Sequence, residues 1–190
     1  MIQRYLALAL VAGGVSACSD GAGGSDDAPS FDELVSEGLA LEERYEDSSL
    51  TSVADMPTSG SATYDGVVGY STSTSDPDAI IANPETVSSL TLTADFGSSD
   101  ISGRAYDFQN ADGSDVSGDL EITGGSISGN EFGANIDGTL NQAGTTISYD
   151  GELAGGFVDE DAGAVVGGGA ALATTEDGDQ FAVYGVFAAD

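Results

Sequence analysis

Leu90-Thr91-Leu92-Thr93-Ala94-Asp95-Phe96-Gly97 alternates residue by residue, with Leu90, Leu92, Ala94 and Phe96 on one side and Thr91, Thr93, Asp95 and Gly97 on the other. Successive side chains of a strand point to opposite faces, so a period of two with one apolar face marks a half-buried antiparallel strand. The same period runs through Ala62, Tyr64, Gly66, Val68 and Tyr70. It recurs from Leu120 to Thr123, at Ala134, Ile136, Gly138 and Leu140, at Ile147, Tyr149, Gly151 and Leu153, and at Phe181, Val183, Gly185 and Phe187. Turn signals fall at Asp112-Gly113, Gly124-Gly125, Gly129-Asn130, Asn141 to Gly144 and Asp177-Gly178,. Asp137-Gly138, by contrast, lies within an apparent strand. Eight or nine short strands at hairpin spacing predict a mainly β chain: a small soluble antiparallel up-and-down β-barrel.

Closure into a barrel is favoured by the glycines. Gly103, Gly118, Gly138, Gly155, Gly167 and Gly185 sit within or beside strand-like runs. Glycine there weakens pairing unless a tight bend or a crowded interior requires it. The faces opposite the apolar ones carry Thr, Ser, Asp and Asn, which speaks against the lipid-facing apolar band of a membrane barrel. Large residues are few, and the sequence predicts an interior filled by side chains with no roomy cavity.

Upstream of the barrel, residues 30–55 form a helix and connector. Ser30 followed by Glu33 makes a capping box, and Phe31, Leu34, Val35, Gly38 and Leu39 keep helical spacing,. One short amphipathic helix is expected, capping the open end of the downstream sheet; docking on a partner is the alternative. Residues 18–29 are rich in Gly, Ser, Asp and Ala and read as a flexible tether.

Residues 1–17 have the layout of a secretion signal: Arg4, an apolar run from Tyr5 to Val11, then small residues,. Val15-Ser16-Ala17-Cys18 matches the lipoprotein pattern, in which the cysteine carries the lipid and becomes the amino terminus. Cys18 is the only cysteine of the chain, which leaves no internal disulfide and no Cys-x-x-Cys redox motif. The alternative is an ordinary signal peptide with Cys18 a free thiol. Lipidation would anchor the chain to the cell envelope, with the outer membrane and its surface as the expected address. Ser19 after the cysteine differs from the Asp of the inner-membrane retention signal.

Of 190 residues 33 are acidic and three basic, none is His, and the formal net charge is −30. Nucleic-acid binders need a basic footprint, so nucleic acid is excluded as a partner. Membrane contact must come through the lipid and not through charge. Without imidazole the usual general base and metal ligand are missing, and an enzyme is not expected; no cofactor is called for. Asp159-Glu160-Asp161 and Glu176-Asp177 are read as solvated turns. Asp159, Asp161, Asp177 and Asp179 are the candidate ligands for a divalent cation, although no segment matches the calcium loop.

Several stretches taken in order resemble the barrel domain of the transferrin-binding protein B family of Gram-negative surface lipoproteins. Residues 59–66 (SGSATYDG) are similar to its opening strand. Residues 92–97 (LTADFG) with 101–103 (ISG) look like its next hairpin. Residues 127–132 (ISGNEF), 149–157 (YDGELAGGF) and 184–189 (YGVFAA) resemble later strands. The resemblance spans about residues 56–190. It implies an eight-stranded barrel and a non-enzymatic protein that binds an extracellular or envelope protein, or a nutrient carrier. Full members carry two lobes, each with a handle and a barrel, whereas this chain has room for one barrel and one helix. Transferrin binding is therefore not implied. The alternative function is a structural or shielding acidic lipoprotein of the envelope, or a divalent-cation binder.

Overall fold

Each alternating run becomes one long strand, and every strand pairs antiparallel with the next. The computed structural model describes residues 28–190; Cys18, the signal stretch 1–17 and most of the tether 18–29 lie outside the described residues. Helix α1 (Phe31–Tyr45) comes first, then β1 (Ser61–Ser71), a short helix α2 (Pro77–Ala82), β2 (Thr86–Asp95), β3 (Asp100–Asn110) and β4 (Val116–Ser128). β5 (Glu131–Gln142), β6 (Thr145–Val158), β7 (Ala164–Thr175) and β8 (Gln180–Ala189) follow. β8 pairs back onto β1, from Gly66↔Ala189 to Ser71↔Tyr184, which closes an eight-stranded barrel. The strands are 10 to 14 residues long, longer than the short strands expected.

Two details of the turn reading change. Gly124-Gly125 is not a turn but a bulge inside β4, where the register against β5 shifts between Thr123 and Ser126. Gly124 sits there at φ 61°, a conformation that glycine adopts without strain. Helix α2 was not expected at all. It starts on Asp76, whose side chain accepts from the Asp78 amide, with Pro77 at its first position,.

Inward glycines permit the curvature. A Cβ on Gly66 would lie 2.1 Å from the Ala188 carbonyl oxygen, and one on Gly151 would lie 2.3 Å from that of Ala170. No side chain fits between strands that approach so closely.

One end of the barrel is sealed. The Phe157 ring lies 5.4–6.0 Å from those of Tyr64, Phe96 and Phe132 in tilted geometry,. The connector after α1 straps this end: Leu50 bridges to Val158, Thr51 N–H donates to the Phe157 carbonyl at 2.8 Å, and Asn130 Nδ2 donates to the Thr51 carbonyl at 2.7 Å.

Helix α1 has the expected capping box, with Ser30 and Glu33 bonded reciprocally. It does not cap an end of the barrel, however. A closed sheet has no free edge to cover, and α1 instead lies along the outer wall. Leu34 packs on the outward side chains Val67 and Val87, while Leu41 and Tyr45 pack on Val158, Ala164, Val166 and Ala188. These outward positions break the polar side of the alternation because the helix, and not water, covers them. Arg44 pairs with Asp190, which also accepts from the Tyr45 hydroxyl at 3.0 Å.

Phe157 is wholly buried. Phe157→Ala is therefore expected to lower the unfolding free energy by about 3–5 kcal/mol in urea titrations. Leu39→Ala, on the exposed side of α1, is expected to change it by no more than about 0.5 kcal/mol.

Candidate functional site

The other half of the barrel is not filled, contrary to the expectation of a packed interior. A cavity of about 410 Å³ runs from the open end towards Leu92 and Phe187. Alternation supplies its wall: inward Leu90, Phe108, Leu120, Leu140 and Val183 are all buried. The aromatic residues of this half, Tyr70, Phe108, Tyr149 and Phe181, stand in the cavity wall. Tyr70 donates to or accepts from Ser88 Oγ at 3.2 Å, and Tyr149 accepts from Gln142 Nε2 at 3.2 Å. Burial pushes both phenols above their ordinary pKa, so they are neutral hydrogen-bonding groups.

At the mouth one residue holds the loops together. The Glu85 carboxylate accepts from the hydroxyl and amide of Thr72 at 2.6 and 3.0 Å, from Ser71 Oγ at 2.9 Å, and from Ser73 Oγ. Its amide donates to the Tyr70 carbonyl, and its carbonyl accepts from the Ala111 amide, both at 2.9 Å. The bonds from Ser73, then Thr72, then Ser71 hold its pKa at about 2,. Sequence reading passed over Glu85; the hydroxyl run Ser71-Thr72-Ser73-Thr74 was the signal available, since such a run offers donors to one acid.

The acidic turns are placed at opposite ends. Asp159 and Asp161 lie in the β6–β7 turn at the sealed end, and Asp177 and Asp179 lie in the β7–β8 turn at the open end. The first turn is held by structural bonds: Thr51 Oγ1 donates to the Asp159 carbonyl and Tyr64 Oη to the Ala162 carbonyl, both at 2.7 Å. Among the described residues, no three His, Cys, Asp or Glu side chains are grouped to hold a metal ion, and no helix is long and apolar enough to cross a membrane.

Charge is unevenly spread over the outer wall. β6 shows Asp150 and Glu152 outward, and β5 shows Glu131 and Asp137. β7 and β8 have no charged residue at all. Their outward side chains pair as Gly168↔Val186, Ala170↔Tyr184 and Leu172↔Ala182. α1 covers the sealed-end part of this strip, while Leu172 remains 46 % exposed. The strip is flanked by acids, since Leu172 pairs with Asp150 and Ala170 with Glu152 on β6.

A closed eight-stranded antiparallel barrel with a helix packed along its outer wall defines the class of small antiparallel β-barrels. Residues 56–190 match the model of the C-lobe and N-lobe β-barrels of transferrin-binding protein B, and the chain belongs to that family. Solved structures with a similar fold include a double mutant of the vaccine antigen transferrin-binding protein B from Haemophilus parasuis Hp5. It is 22 % identical, with 74 % of this chain and 27 % of that one covered and a TM-score of 0.44. Intact Ap-TbpB, with N and C lobes, is 20 % identical over 74 % and 28 % of the two chains, with a TM-score of 0.40. The isotype 1 protein from serogroup B Neisseria meningitidis is 17 % identical over the same shares, with a TM-score of 0.41. The chain thus spans little more than a quarter of these proteins. No curated protein matches it.

Glu85 yields a test of the mouth. Its folded-state pKa lies below the ordinary 4.5, so its contribution is present above about pH 4.5 and fades as pH falls towards about 2. Glu85→Gln is expected to destabilise the chain by about 0.5–1.5 kcal/mol at neutral pH, since its hydroxyl partners Thr72 and Ser73 lie at the solvent-exposed mouth,. The gap in melting temperature between wild type and variant should shrink between about pH 4.5 and about pH 2. Taking the difference removes the separate effect of neutralising the other acids.

Proposed function

We propose that the chain is a lipid-anchored lipoprotein of the outer membrane, displayed at the cell surface, whose barrel binds a protein and catalyses no reaction. Anchoring rests on Val15-Ser16-Ala17-Cys18 and on the signal layout before it,. Two or more acyl chains on Cys18 would hold the chain stably, where one would be marginal.

The observation that carries the binding role is the uncharged strip of β7 and β8. A chain with net charge −30 repels most acidic proteins, and screening by salt only softens this. Two whole strands free of charge leave one face on which apolar contact costs little desolvation. Asp150 and Glu152 beside it fit a partner that presents an apolar contact with a basic rim. Transferrin, the ligand named for the matched proteins, is one candidate among extracellular proteins. The short span shared with those proteins gives it no preference.

Protease shaving of intact cells is expected to remove the barrel, and Cys18→Ala is expected to release it from the membrane fraction. Protection until the outer membrane is permeabilised would reject surface display. Leu172→Gln, at an exposed position, is expected to weaken crosslinking to the captured protein by about tenfold or more with an unchanged melting temperature. Full retention of the partner by that variant would reject the strip as the binding face.

A further inference from the structure

We propose that the open half of the barrel is a site for one small apolar molecule bearing an uncharged or cationic head group, entering between Glu85 and Asp112. Size comes first. A cavity of about 150 Å³ with apolar walls takes up benzene, so about 410 Å³ accommodates a guest of about two to three benzene-sized rings. The wall is inward aliphatic and aromatic surface, continuous from Phe108 and Leu140 down to Leu92. Apolar surface of that kind gains by exchanging water for a guest.

Polar groups set the orientation and the charge. Tyr149 Oη already accepts from Gln142 Nε2, which leaves its own proton to give to an acceptor on the guest. Among the residues lining the cavity, Glu85 and Asp112 alone are charged, and both are acidic. Glu85 has its oxygens occupied by Ser71, Thr72 and Ser73, so it acts through its field. Asp112 accepts from the Ser114 amide at 2.9 Å and likewise acts on a cation through its charge. An anionic head, such as the carboxylate of a fatty acid, would sit against two like charges at the mouth.

Phenylnaphthylamine, neutral and fluorescent in apolar surroundings, and its sulfonated analogue anilinonaphthalene sulfonate distinguish these features. Both are titrated into the full chain carrying Cys18→Ala. The neutral probe is expected to bind saturably at one site per chain and to be displaced by octylamine but not by octanoate. The sulfonate is expected to bind at least about tenfold more weakly. Ile136→Trp, which fills the cavity, is expected to abolish binding, and Asp112→Lys to narrow the gap between the probes. No saturable binding of the neutral probe, or equal binding of the two, would overturn the site. So would undiminished binding by a folded Ile136→Trp, which would put the probe on the outer wall, in the groove that Leu34 and Val35 of α1 and Ile80 and Ile81 of α2 line. Should Ile136→Trp fail to fold, an unchanged affinity ratio in Asp112→Lys overturns the charge selection and with it the proposal.

Discussion

The pairing of β8 onto β1 is the constraint from which the rest of the structure follows. Closure satisfies the backbone donors and acceptors that a sheet edge would expose, and it fixes which side of every strand faces inward. With eight strands the interior is just wide enough to be filled by side chains or to hold one small ligand. This barrel does each in a different half. Phe157 and its aromatic neighbours fill the sealed half. Beyond them, glycine and alanine at the inward positions Gly169 and Ala171 of β7, and Gly185 of β8, leave the wall bare. The cavity is a consequence of where the few large residues stand, not of a wider barrel.

Strand positions were legible in the sequence because closure makes alternation nearly strict. Leu90 to Phe96 and Ile147 to Leu153 follow the period of two through their whole length, and both face inward as read. The departures had causes outside any local window. Val67 and Val87 interrupt the polar face because they are the seat of Leu34 on α1. Gly124-Gly125 has the composition of a turn, but it lies in mid-strand, where two residues must be absorbed as a bulge. A helix of six residues on Asp76 and Pro77 is too short for periodicity to reveal it.

The mouth was hidden for a related reason. Aromatic content predicted a full interior because counting side chains ignores their distribution along the barrel axis. Tyr64, Phe132 and Phe157 come from β1, β5 and β6 and Phe96 from the turn after β2, and only the register brings them to one level. Glu85 was hidden too, being one acid among 33. What sets it apart is the ring of hydroxyls from residues 71–73, on the far side of α2, and no spacing rule joins those positions to it. The paired acids that did stand out, Asp159 to Asp161 and Glu176-Asp177, occupy turns at opposite ends.

Charge and closure together also explain why the exterior is divided. A strongly acidic chain must spread its carboxylates to limit self-repulsion, and a barrel offers a full circumference over which to do so. Here β7 and β8 are left out. Under α1 the reason is packing, since a carboxylate beneath Leu41 would be buried without a partner. At the open end α1 no longer covers the strip, and Leu172, Ala170 and Ala182 meet water although nothing in the fold requires them to be apolar. Self-repulsion alone would favour acids at those positions as it does on β5 and β6. Their absence is a departure from the charge pattern that folding does not account for, and it is the observation on which the proposed binding face rests.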